Sequence, residues 1–121
     1  GEYFTQDDLR EIVAYAGDRG IRVIPEFDLP GHSLSWLEAH PELAIDPAPR
    51  VKAERYGVHP VALDPTRDEV YEFLDSFFAE MSGIFPDPYV HIGGDEANPE
   101  LWDANERLQA FQREHGLADH K

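Results

Sequence analysis

Apolar residues Leu9, Ile12, Val13 and Ala16 recur at i, i+3, i+4 and i+7, the spacing of one helix face. Thr5-Gln6-Asp7-Asp8 ahead of them has the form of a capping box, and Gly20 supplies a left-handed stop, so a helix is predicted over about 5–19. Ile21 to Phe27 is short and rich in β-branched residues and predicts a strand over about 21–27, weakened by Pro25, which has no N–H to give a ladder. Residues 28–63 carry Pro30, Pro41, Pro47, Pro49 and Pro60 and predict a long loop with room for a short helix near Ser33 to His40. Thr66-Arg67-Asp68-Glu69 has the form of a second capping box. Val70, Phe73, Leu74, Phe77, Phe78, Met81, Ile84 and Phe85 then keep the helical period over about 66–85, a stripe that must face a core. Pro86 and Pro88 separate it from a second short strand, about 89–92. Asn98 as a cap and Pro99 at the first helical position open a last helix over about 99–115, with Leu101, Ala104, Leu108 and Phe111 on its apolar side.

The order helix, strand, helix, strand, helix is that of parallel strands joined by right-handed crossovers. Two parallel strands leave both sheet edges and much of both faces uncovered, so the expected fold class is α/β, with the chain one part of a larger barrel or doubly wound sheet. The first residue is Gly1, which agrees with a piece of a longer chain. Any targeting segment then lies outside it, and localisation is open.

Composition narrows the partners. Twenty-five Asp and Glu against ten Lys and Arg give a formal charge of -15, which repels phosphate backbones and anionic lipid surfaces. Neither nucleic acid nor membrane is expected. With no cysteine, disulfide and thiolate chemistry are excluded within these residues.

Both predicted strands run into acidic loops, Glu26-Phe27-Asp28-Leu29-Pro30-Gly31-His32 and Gly93-Gly94-Asp95-Glu96. Ligands in barrels and open α/β sheets sit at the carboxyl ends of strands, which would gather Asp28, His32, Asp95 and Glu96 at one rim. Glycines at 93 and 94 let the chain turn so that two adjacent carboxylates face one cavity. Such a pair splits its pKa values, one acid staying protonated while the other stays charged. In a chain with 25 acidic residues, plain solvated loop acids account for the pair as well.

Taken together, Tyr3 to Asp8 with Arg10 to Val13, Arg19 to Asp28, Pro30-Gly31-His32, Ser35-Trp36 and His91 to Glu96 resemble, in order and spacing, the signatures of the family 20 glycoside hydrolases, the β-N-acetylhexosaminidases. The resemblance covers nearly the whole chain. It implies part of a TIM (β/α)8 barrel, here its third and fourth strands with flanking helices. It also implies removal of terminal β-linked N-acetylglucosamine or N-acetylgalactosamine with retention of configuration, the substrate's own 2-acetamido oxygen acting as nucleophile. By the same resemblance Glu96 is the general acid and base, Asp95 holds the acetamido group and stabilises the oxazolinium ion, His32 sits behind Glu96, and Asp28 orients the loop. Trp36 and Trp102 are candidates to line a sugar subsite, and core packing accounts for them equally well. No cofactor and no metal is implied. The partners are an N-acetylhexosamine-containing oligosaccharide or glycoconjugate and the remainder of the barrel.

Several parts that the family uses have no counterpart here: an earlier arginine on the sugar hydroxyls, an earlier aspartate paired with the histidine, and later aromatic walls of the acetamido pocket. The chain alone is therefore expected to hydrolyse nothing. Three other readings stand beside this one. Gly93 to Glu96 also matches the Gly-Gly-Asp-Glu turn of diguanylate cyclases, although Ala97-Asn98-Pro99 starts a helix where that family has a returning strand. A metal site from Asp28, His32, His91, Asp95 and Glu96 lacks close histidine spacing. The third reading is a non-catalytic carbohydrate-binding or structural remnant of the barrel.

Overall fold

The computed structural model of the chain describes residues 3–45, 57–97 and 99–118. Helix α1 spans Gln6–Gly17, and Thr5 and Asp8 close a full capping box at its start. Gly20, at φ 72, turns the chain out of the helix. The Ile21 and Gly20 N–H groups donate back to Ala16 and Gly17, a Schellman ending.

The segments after α1 and before residue 93 are extended, yet neither reaches the length of a strand. They meet in parallel at one bridge, Glu26 to His91. The His91 N–H donates to Pro25 O and the Phe27 N–H to His91 O, both at 2.9 Å. Pro25 gives no amide to extend the ladder, and among the described residues nothing pairs with the outer edges. Ile21, Ile24, Val90 and Ile92 on these segments are consequently exposed.

The stretch predicted as a loop over 28–63 holds more order than its prolines imply, although residues 46–56 lie outside the described part. It contains α2, Leu34–Ala39, and a 3-10 turn, Pro41–Leu43. An antiparallel bridge then joins Ala44 to Leu63. Leu34, Leu37, Leu43, Ala44, Val61, Leu63 and Val70 form the main core, so much of the buried apolar surface belongs to this connection.

Helix α3 spans Asp68–Ser82. The expected Thr66 capping box does not form. Arg67 precedes the first turn, and the Thr66 N–H and hydroxyl both donate to Asp64 instead, at 3.0 and 2.7 Å. The phenylalanine stripe of α3 packs under the first extended segment, with Phe27 edge-on to Phe77 and Phe78 at 4.8 and 5.9 Å. The single helix predicted over 99–115 is two, α4 at Pro99–Asp103 and α5 at Glu106–Glu114. Asn105 causes the break: its side-chain oxygen accepts from the Arg107 and Leu108 N–H groups and so starts a new helix. The proposed cap Asn98 lies outside the described residues.

Candidate active site

The two extended segments leave their bridge at the same end, and Asp28, His32, Asp95 and Glu96 all follow it, while His91 stands in the bridge itself. Asp28, two residues beyond Glu26, turns its carboxylate across to the other segment. Its Oδ1 accepts from the Gly94 N–H at 2.8 Å and from the Asp95 N–H at 3.3 Å. These bonds, the Gly94 N–H foremost, hold the Asp28 carboxyl below the ordinary carboxylate pKa, with the fields of His32 and His91 adding to them while burial opposes.

That crossing explains Gly93. A Cβ there would lie 1.9 Å from Asp28 Oδ1 and 2.6 Å from Asp28 Cα, and φ is 69. The carboxylate occupies the place of a side chain. Gly31 is tight for a similar reason, since a Cβ would meet the Asp95 carbonyl oxygen at 2.9 Å.

The two loops then exchange their key side chains. His32 and Glu96 are the two non-glycine residues with positive φ among the described residues, at 48 and 52. Such backbone persists only where the surroundings over-determine it. Here His32 Nε2 lies 2.9 Å from Glu96 Oε2 and 3.8 Å from Asp28 Oδ2. An imidazole carrying its proton on Nε2 donates to Glu96. The His32 ring thus presents one nitrogen, Nε2, to both carboxylates, with Glu96 the nearer. Asp95 enters this arrangement through its amide.

His91 takes a smaller part. Its Nδ1 accepts from the Gly93 N–H at 3.0 Å and lies 3.2 Å from Glu26 Oε1, fixing the start of the Gly-Gly turn. Trp36 packs edge-on against Phe73 and Phe77 at 5.2 and 4.7 Å, and Trp102 packs beside the cluster of Ile45, Ala62 and Leu108. Both make the packing contacts that the sequence left open beside a sugar subsite. Among the described residues no three His, Asp or Glu side chains are arranged to hold a metal ion.

One carboxylate escaped the sequence reading. Asp64 is fully buried, and its oxygens accept from Thr66, from Arg67 Nε at 3.1 Å and from the Arg107 guanidinium. The available signal was Asp64-Pro65-Thr66 after an apolar run, a form in which Asp caps the amide two residues on. No sequence spacing announces Arg107 as its partner.

Comparison with known proteins gives a consistent result. The model of the catalytic domain of glycosyl hydrolase family 20 matches residues 1–121. Beta-hexosaminidase subunit beta of Homo sapiens is 41% identical over 115 residues, covering 94% of this chain and 20% of that protein. Beta-hexosaminidase subunit alpha of Rattus norvegicus is 40% identical over 118 residues, covering 98% of this chain and 22% of that protein. The chain thus spans about a fifth of the length of these curated relatives. Among solved structures, a Flavobacterium johnsoniae chitobiase superposes with a TM-score of 0.88 at 41% identity, over 95% of this chain and 17% of that one. A mutant Streptomyces plicatus beta-hexosaminidase in complex with product (GlcNAc) superposes at 0.74 with 32% identity, over 93% of this chain and 22% of that one.

Proposed function

The chain belongs to glycosyl hydrolase family 20, a family of TIM-barrel catalytic domains, and on that premise we propose that it carries the acid–base machinery of a β-N-acetylhexosaminidase. In this reading its two extended segments are the third and fourth strands of the barrel, and the full-length protein removes terminal β-linked N-acetylglucosamine or N-acetylgalactosamine. The single observation that carries it is the 2.9 Å contact between His32 Nε2 and Glu96 Oε2, made at the shared end of two parallel segments.

Glu96 gives its proton to the glycosidic oxygen as the bond from that oxygen to C1 breaks. The substrate's 2-acetamido oxygen closes on C1 and forms the oxazolinium ion. The Glu96 carboxylate next takes a proton from water as the water oxygen attacks C1, which opens the ring with net retention. Asp95 holds the acetamido group and stabilises the positive charge. His32 tunes the proton on Glu96, and Asp28 fixes the loop that presents both acids. The parts of the sugar site absent from these residues lie elsewhere in the full-length protein, so the 121 residues alone hydrolyse nothing.

The test uses the full-length protein and two aryl β-glycosides that differ only at the 2-position, acetamido against hydroxyl. Turnover confined to the acetamido compound is expected. Comparable rates on both would assign a carboxylate as the direct nucleophile, and no turnover on either would leave the site non-catalytic.

A further inference from the structure

We propose that Asp64, acting through Arg107, is a positioning residue for the Glu96 carboxylate, an inference that rests on the acid role assigned to Glu96 above. Asp64 is 0% exposed and is the one buried acid among the described residues. Its two oxygens take four donors: the Thr66 N–H and hydroxyl on Oδ1, and Arg67 Nε and the Arg107 guanidinium on Oδ2. Its own N–H donates to Leu43 O at 3.0 Å. One residue therefore joins the 3-10 turn, the start of α3 and the first turn of α5. Two arginines on one carboxylate is a large commitment in a chain with 25 acidic residues and ten basic ones.

The consequence reaches Glu96 through the chain. On its N-terminal side the Glu96 turn is pinned by Asp28, which takes the Gly94 and Asp95 amides, and by the close approach of Gly31. On its C-terminal side α4 and α5 follow. They are held to the rest of the molecule by Leu101, Trp102 and Leu108 in the cluster with Ile45 and Ala62, and by Arg107 on Asp64. With φ at 52, Glu96 depends on both anchors. Releasing Arg107 leaves only the apolar part of the second one and so loosens it, and the carboxylate loses its aim at the leaving oxygen before it loses any contact with the sugar.

Arg107→Gln and Asp64→Asn in the full-length protein test this, with aryl 2-acetamido-β-glycosides whose leaving phenols range from weakly to strongly acidic. Poor leaving groups need the proton from Glu96, and activated ones do not. We expect kcat/KM, which reports the steps through departure of the phenol, to fall about 10-fold or more on the least acidic phenol, because misplacing a catalytic group by about an ångström costs up to about 10²-fold. On a dinitrophenyl glycoside, whose departure needs no proton, the expected fall in kcat/KM is below about 3-fold. Arg107→Lys should recover part of the loss. Arg107 is half-exposed and leaves Asp64 bonded to Thr66 and Arg67, so its variants serve if Asp64→Asn does not fold. An equal fall on all leaving groups, or none, overturns the inference alone. A wild-type protein inactive on the acetamido glycosides overturns the proposed function, and this inference with it.

Discussion

Replacing Gly93 with alanine should damage the site far more than the same change at Gly20, although the two glycines have nearly the same backbone. Their φ angles are 69 and 72, so each alanine carries the left-handed penalty of about 1 kcal/mol. At Gly20 nothing lies within 4 Å of the new Cβ, and the penalty is the whole effect. At Gly93 the new carbon would stand 1.9 Å from Asp28 Oδ1, 2.5 Å from Cγ and 2.6 Å from Cα. A rotamer change moves the carboxylate but not the Cα, so the two paired segments must part. Forced repacking of that kind adds about 1–3 kcal/mol. It also takes the Asp28 carboxylate off the Gly94 and Asp95 amides and shifts Glu96, for which a loss near 10²-fold in turnover is the expected scale. Urea unfolding and turnover of the acetamido glycoside, measured on the full-length protein, give both quantities. If Gly93→Ala unfolded within about 0.5 kcal/mol of Gly20→Ala and kept its turnover, the claim that Asp28 fills the place of a side chain would be refuted.

Three further outcomes follow from the packing and charges. Leu43→Ala, at a 2% exposed position in the main core, should cost about 2–5 kcal/mol in chemical denaturation, because the surrounding side chains close a cavity only partly. Asn105→Ala removes the oxygen that accepts from the Arg107 and Leu108 amides and should cost about 1 kcal/mol by the same assay, with the loss of order confined to α5 in hydrogen exchange. Asp8, Asp28, Glu42 and Asp87 all have their pKa lowered in the folded chain, chiefly by hydrogen bonds, from Thr5 to Asp8, the Gly94 amide to Asp28, Glu42's own amide, and Arg22 to Asp87. A lowered carboxylate pKa contributes stability that is fully present above the unfolded value, about 4, and lost as pH falls through the folded one. Melting temperature should hold down to about pH 4 and drop below it, and Asp87→Asn should flatten that drop.

What could be read from sequence follows the range of the forces involved. Helix α1 was legible at both ends because its capping box and its glycine stop are local chemistry, complete within a few residues. The start of α3 departs from its motif because Thr66 has a competitor that the motif does not contain, the carboxylate of Asp64. Periodicity could not separate α4 from α5, since Leu101, Ala104, Leu108 and Phe111 keep one apolar face across the break while Asn105 caps through the amides. The expected strands reduce to one bridge because a parallel ladder is steadied by neighbours on both sides, and the described residues contain neither neighbour.

The site shows the same division more sharply. Its members were named from the sequence, but the reason they meet is a register. Glu26 opposite His91 puts Asp28 level with the Gly94 and Asp95 amides, and it brings His32 and Glu96, 64 residues apart, to 2.9 Å. Sequence alone implies that the glycines supply freedom to turn. In the structure Gly93 matters more as an empty place, kept for a carboxylate that comes from 65 positions earlier in the chain. A pairing slipped by one residue would carry Asp28 to the opposite face of the segment. The Gly94 and Asp95 amides would then lose their acceptor, and Glu96 would lose the anchor that aims it at His32. The meeting of His32 with Glu96, which looks local in Gly-Gly-Asp-Glu, is therefore set by a register between segments 65 residues apart.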